Sequence, residues 1–84
     1  MIMTISWIQF QQHYMKTDQL IFVVEESNNW CLYASQGMII VKCVVNKSES
    51  AEENYAFVDR HLNNMNVVKA EYVIEQKPIK LKVE

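Results

Sequence analysis

Trp30-Cys31-Leu32-Tyr33-Ala34-Ser35-Gln36-Gly37-Met38-Ile39-Ile40-Val41-Lys42-Cys43-Val44-Val45 sets two apolar runs around the only glycine of an 84-residue chain. Aromatic and β-branched side chains suit a pleated, buried surface, and a glycine supplies the positive φ that a tight connection demands. Residues 30–34 and 38–46 are therefore predicted to pair as a hairpin across Ser35-Gln36-Gly37. In that register Ala34 faces Met38 and Tyr33 faces Ile39. Cys31, Tyr33, Ile39, Val41 and Cys43 then share one face, and Trp30, Leu32, Ile40, Lys42 and Val44 the other. Both faces are apolar, whereas a sheet open to water on one side alternates with polar residues, so cover is expected on both sides.

Working outward, Ser6 and Gln9 have the spacing of a capping box, and Trp7, Phe10 and Tyr14 recur at helical intervals, which predicts a helix over 6–15. Leu20-Ile21-Phe22-Val23-Val24 reads as the first strand, followed by an exposed turn at Glu25-Glu26-Ser27-Asn28-Asn29. Ser50 and Glu53 repeat the capping spacing ahead of Ala51, Tyr55, Val58 and Leu62, predicting a second helix over 50–63. Residues 67–76 alternate as a half-exposed strand, with Val68, Ala70, Tyr72 and Ile74 set against Lys69, Glu71 and Glu75. After Pro78, Ile79-Lys80-Leu81-Lys82-Val83 alternates strictly, so 77–84 is expected to be an edge strand or an extended arm. The fold expected is a single α+β domain over 1–84: a small antiparallel sheet, made of a three-strand meander plus one or two C-terminal strands, with two short helices.

A net charge of −2 gives no electrostatic reason for nucleic-acid binding. No apolar run approaches the ~20 residues that span a bilayer, and the first residues lack the pattern of a signal peptide, so a soluble protein of a reducing compartment is expected. Cys31 and Cys43 are read as free core thiols lying diagonally on one face. His13 and His61 stand far apart with no metal-binding spacing around them, and a zinc site built on the two strand cysteines lacks the tight turns such sites use. A cysteine nucleophile paired with His61 would need a lowered pKa that apolar neighbours oppose. Glu25-Glu26 and Glu52-Glu53 are adjacent rather than convergent, and one glycine cannot build a phosphate loop. No enzymatic activity, cofactor or metal is expected.

What remains is surface. If the chain's own helices leave the second face of the hairpin bare, Trp30, Leu32, Ile40 and Val44 form the patch expected to meet a protein partner, with Ile79, Leu81 and Val83 of the terminal strand available for pairing across copies. Lys69, Lys77, Lys80 and Lys82 at one end of the sequence, against Glu25, Glu26, Glu49, Glu52, Glu53 and Asp59 in its middle, would suit head-to-tail packing of copies.

The pattern Ser6-Trp7-x-x-Phe10, Trp30-x-Leu32-x-Ala34-x-x-Gly37, Asn46-Lys47 and Ala56-Phe57-Val58-Asp59-Arg60-His61, spread over residues 4–62, resembles small virion proteins of tailed bacteriophages. The resemblance implies a non-enzymatic structural protein of the tail, neck or capsid surface. It would be present in symmetric copies, as a homo-oligomer or within a larger viral assembly, and located in the virion or in the host cytoplasm before assembly. The alternative is a small acidic regulatory or inhibitory protein that binds a host or viral enzyme through its acidic middle.

Overall fold

The computed structural model describes residues 1–16, 18–75 and the backbone of 80–83. In chain order the elements are β1 (Ile2–Thr4), α1 (Trp7–His13), β2 (Ile21–Glu25), β3 (Asn29–Gln36), β4 (Ile39–Asn46), α2 (Ala51–Phe57), a π-helical turn (Val58–Leu62), β5 (Val67–Ile74) and β6 (Lys80–Val83). They build one six-stranded sheet in the order β1-β4-β3-β2-β5-β6. The α+β class and the β2-β3-β4 meander follow expectation. The sheet is mixed rather than antiparallel, because β1 runs parallel to β4 and β2 parallel to β5.

The helices form where the sequence caps them. Ser6 and Gln9 complete a reciprocal capping box at the start of α1, satisfying amides that a helix start leaves without partners. At α2 only half of the box forms. The Ser50 hydroxyl accepts from the Glu53 amide, while the Glu53 carboxylate turns to the Ser48 hydroxyl. The α-helix then widens at Val58, where the Asn63 amide reaches back to the Val58 carbonyl at 2.9 Å. This turn carries Leu62 into the core.

The hairpin register differs from expectation by an odd number of residues. Gln36 pairs with Ile39, leaving Gly37-Met38 as the connection, and Gly37 takes φ +59°. A positive φ at the first of two loop residues is the arrangement of a type II′ turn, whose twist matches the flanking strands better than a three-residue loop ending in glycine. Because side chains alternate with period two, the change moves all of β4 to the opposite face relative to β3. Trp30, Leu32 and Ala34 now share a face with Ile39, Val41, Cys43 and Val45, whereas Cys31 and Tyr33 share the other with Ile40, Lys42 and Val44.

The first of these faces is the main core. Phe10 of α1 and Leu62 of the π turn pack on Ile21, Val23, Trp30, Leu32, Val41 and Cys43, with Trp7, Phe57 and Val58 closing the margin. Trp30 is the anchor, stacked on Phe57 with ring centroids 4.5 Å apart and planes 16° apart. On the second face no helix packs among the described residues. There Cys31, Tyr33 and Ile40 pack with Phe22 and Val24, their neighbours in the sheet, and with Val73. Val73 reaches them because the β5–β6 pairing is irregular between Ala70 and Tyr72, so the extra residue turns the end of β5 and brings Val73, in place of Tyr72, against this cluster.

Trp30 is 3% exposed and Val44 43% exposed, so the two should respond oppositely to truncation. Trp30→Ala is expected to cost about 3–5 kcal/mol, a large share of the stability of a small domain, and Val44→Ser to stay within about 0.5 kcal/mol. Urea unfolding followed by circular dichroism measures both.

Candidate functional site

The four hairpin residues expected to make one docking patch are divided by the sheet. Trp30 and Leu32 lie beneath the helices, Ile40 is buried on the opposite face at 2% exposure, and only Val44 is exposed. The correction follows from the register, since an odd slip exchanges the faces of one strand. Ile79 and the side chains of Leu81 and Val83 lie outside the described residues, although the backbone of β6 is seen pairing with β5 at the edge of the sheet.

The same slip separates the cysteines. Cys43 belongs to the helix-covered core and Cys31 to the second face, so the sheet itself stands between two buried free thiols. Burial pushes the Cys43 thiol up to about 11. Cys31 is raised too, first by burial and then by the nearby Glu26 carboxylate. Both therefore stay protonated and unreactive at neutral pH. His13 is exposed on α1, whereas His61 sits edge-on to Trp7 at 5.0 Å. Burial, assisted by the adjacent Arg60 charge, lowers the His61 pKa and favours the neutral ring. Among the described residues no group of three or more His, Cys, Asp or Glu side chains is placed to hold a metal ion. No helix among them is long and apolar enough to cross a membrane.

On the second face a polar constellation ties distant parts of the chain together. The Glu75 carboxylate accepts from the Tyr33 hydroxyl at 3.0 Å and from Lys42 Nζ at 2.9 Å. The Lys42 ammonium also stands 5.6 Å from the centre of the Tyr33 ring. Each member has a partner and the apolar cluster lies beside them, so the arrangement fastens the chain after β5 over β3 and β4. It leaves no group free to act on a substrate.

A cavity of about 230 Å³ opens between α2 and the sheet, floored by Val23, Trp30, Val58 and Leu62 and flanked by Glu25 and Lys69. Lys47 lies 5.3 Å above the Trp30 ring and bridges to Glu25 at 2.7 Å. The space accepts an apolar group, and Glu25 beside it is already paired with Lys47.

One exposed apolar margin, at β1, was missed in the sequence. β1 ends the sheet, and its outer edge has no neighbouring strand among the described residues. Ile2 and Met3 are exposed beside it, as are Met1 at 71% and Met38 at 67%. Residues 1–15 contain no Asp, Glu, Lys or Arg, so the edge lacks the charges that normally protect an exposed strand. That charge-free stretch was the available signal. Comparison with protein-family models, curated proteins and solved structures found no significant match.

The Tyr33-Glu75-Lys42 tie predicts a pH response with a definite sign. Hydrogen bonding from Lys42 holds Glu75 below its ordinary 4.5, so its contribution is complete above that value and is lost as pH falls through the lower folded value. Burial, with the bond to Glu75, pushes Tyr33 from 10.0 up to about 12, so its contribution is complete below 10 and is lost as pH rises towards 12. Absorbance titration should show one of the four phenols ionising late, and Tyr33→Phe should abolish that step. The same variant is expected to lose about 0.5–1.5 kcal/mol at neutral pH in a urea titration.

Proposed function

We propose that this chain is a non-enzymatic structural or assembly protein that works through protein–protein contacts, and that its docking element is the β1 edge of the sheet. The observation that carries this reading is the open edge itself: backbone groups without a strand partner among the described residues, with exposed Met1, Ile2 and Met3 in a stretch free of Asp, Glu, Lys and Arg. Strand addition at such an edge combines directional main-chain hydrogen bonds with burial of alternate side chains. The resemblance to small virion proteins of tailed phages agrees with this reading and adds a setting, a particle component repeated in symmetric copies. The buried thiols and the fully engaged Tyr33-Glu75-Lys42 tie support the non-enzymatic part, because neither leaves a nucleophile or base free in a cleft.

A second reading, a small acidic protein that occupies an enzyme through Glu25, Glu26, Glu49, Glu52, Glu53 and Asp59, draws support from the nearness of two of the segments that carry them. The β2–β3 turn and the loop leading to α2 meet at one end of the sheet, where the Lys47 amide donates to the Asn28 carbonyl at 2.8 Å. Light scattering during size-exclusion chromatography separates the two. Assembly predicts a mass that rises above 9.9 kDa in multiples as concentration increases. A mass fixed at the monomer value at the highest attainable concentration counts for the acidic binder and against assembly.

A further inference from the structure

We infer that the cavity between α2 and the sheet binds a small amphiphilic anion, an aromatic or short branched carboxylate whose apolar body packs on Tyr55, Val58 and Trp30 and whose head meets Lys69. This site does not depend on how the chain assembles. The space of about 230 Å³ sets the size of the ligand. An apolar cavity of ~150 Å³ takes a benzene ring, so this one takes a single ring with a short arm. Its walls set the body. Val23, Trp30 and Leu62 are each 3% exposed and make a tight apolar floor, so most of the accessible wall belongs to the half-buried Val58 and to the ring of Tyr55, which is exposed at the mouth. Val58 and Leu62 are the first and last residues of the π-helical turn, a rare widening of a helix that recurs at functional sites.

The charges at the rim set the head group. Glu25 and Lys69 both line the cavity, and they are not equivalent. Glu25 accepts from Lys47 Nζ at 2.7 Å, and both members of that pair line an adjoining space of about 240 Å³ that shares Tyr55 and Val58 with the first. Lys69 lines the first space and not the second. The register of β2 with β5 sets it beside Val23, on the face that carries the main core, in a row that begins with the core-packed Val67. A lysine in such a row lays its stem along apolar neighbours and keeps its ammonium at the mouth. Among the described residues the ion pairs are Lys42–Glu75 and Lys47–Glu25, so no carboxylate among them answers Lys69. An amine in the cavity would meet that ammonium as a like charge and a neutral ligand would leave it unused, whereas a carboxylate completes it. The occupant is accordingly an anion with an apolar body.

Three probes that share a phenyl ring and differ in head group test the site on the full-length protein: phenylacetate, phenylacetamide and phenethylamine, titrated at neutral pH by calorimetry and by amide NMR. Phenylacetate is expected to bind about five-fold more tightly than phenylacetamide, the upper end of what one exposed ion pair contributes, with phenethylamine weakest. The chemical-shift changes should centre on Tyr55, Val58 and the Trp30 indole. Lys69 and Tyr55 are both exposed, so their substitution leaves the core intact. Lys69→Gln should bring phenylacetate level with phenylacetamide without altering the affinity for the amide, and Lys69→Glu should reverse the order of acid and amine. Tyr55→Ala should weaken all three probes alike. The preference for the acid should also fade as salt concentration rises. Equal affinities for the three probes, an acid preference that survives in Lys69→Gln, unaltered binding in Tyr55→Ala, shifts centred elsewhere, or no saturable binding each overturn the inference.

Discussion

Two parallel crossovers step across the sheet in the same direction, from β1 over β4 and β3 to β2, and from β4 over β3 and β2 to β5. Such connections share one hand, so two that advance the same way must lay their helices on the same face. Phe10 and Leu62 accordingly belong to a single core together with Trp30. The consequence is an asymmetry that the chain resolves without a third helix. The face carrying Cys31, Tyr33 and Ile40 is closed instead by the turned end of β5, with Val73 supplying apolar cover and Glu75 the hydrogen bonds to Tyr33 and Lys42. The irregularity in the β5–β6 pairing is what turns a half-exposed strand into a cover.

The helices, the meander and the α+β class were legible because local chemistry states them. Ser6 with Gln9 specifies a helix start independently of tertiary context, and Ser50 does so in part. The hairpin was legible as a hairpin, but its register was not. A lone glycine is compatible with either the first position of a two-residue turn or the last of a three-residue loop, and only the first lets Ser35 and Gln36 join the ladder. Since β3 and β4 are apolar on both sides, alternation offered no penalty that would expose the slip. That ambiguity is why Trp30, Leu32, Ile40 and Val44 were grouped as a patch although the sheet divides them, and why Cys31 and Cys43 were placed together.

Other features were invisible for different reasons. β1 comprises three residues, too few for a period to register, and it pairs in parallel with a strand far along the chain. Its existence depends on α1 returning the chain across the sheet, which no window of local sequence contains. The turn of β5 was hidden by the regular alternation of Val68, Ala70, Tyr72 and Ile74. Pairing with β6 interrupts that alternation at Glu71 and presents Val73 rather than Tyr72 to the second-face cluster.

Cover explains where the remaining reactivity of the surface must lie. Once the helices occupy one face and the end of β5 the other, the hairpin that looked adhesive in the sequence has little left to offer a partner. The residual demand moves to the boundary of the sheet, because hydrogen bonding in a ladder is satisfied by neighbours and an end strand has only one. At β1 that demand coincides with exposed Met1, Ile2 and Met3 and with a stretch, residues 1–15, that has no Asp, Glu, Lys or Arg. The two crossovers that seal the core by advancing in the same direction therefore leave β1 at one margin of the sheet.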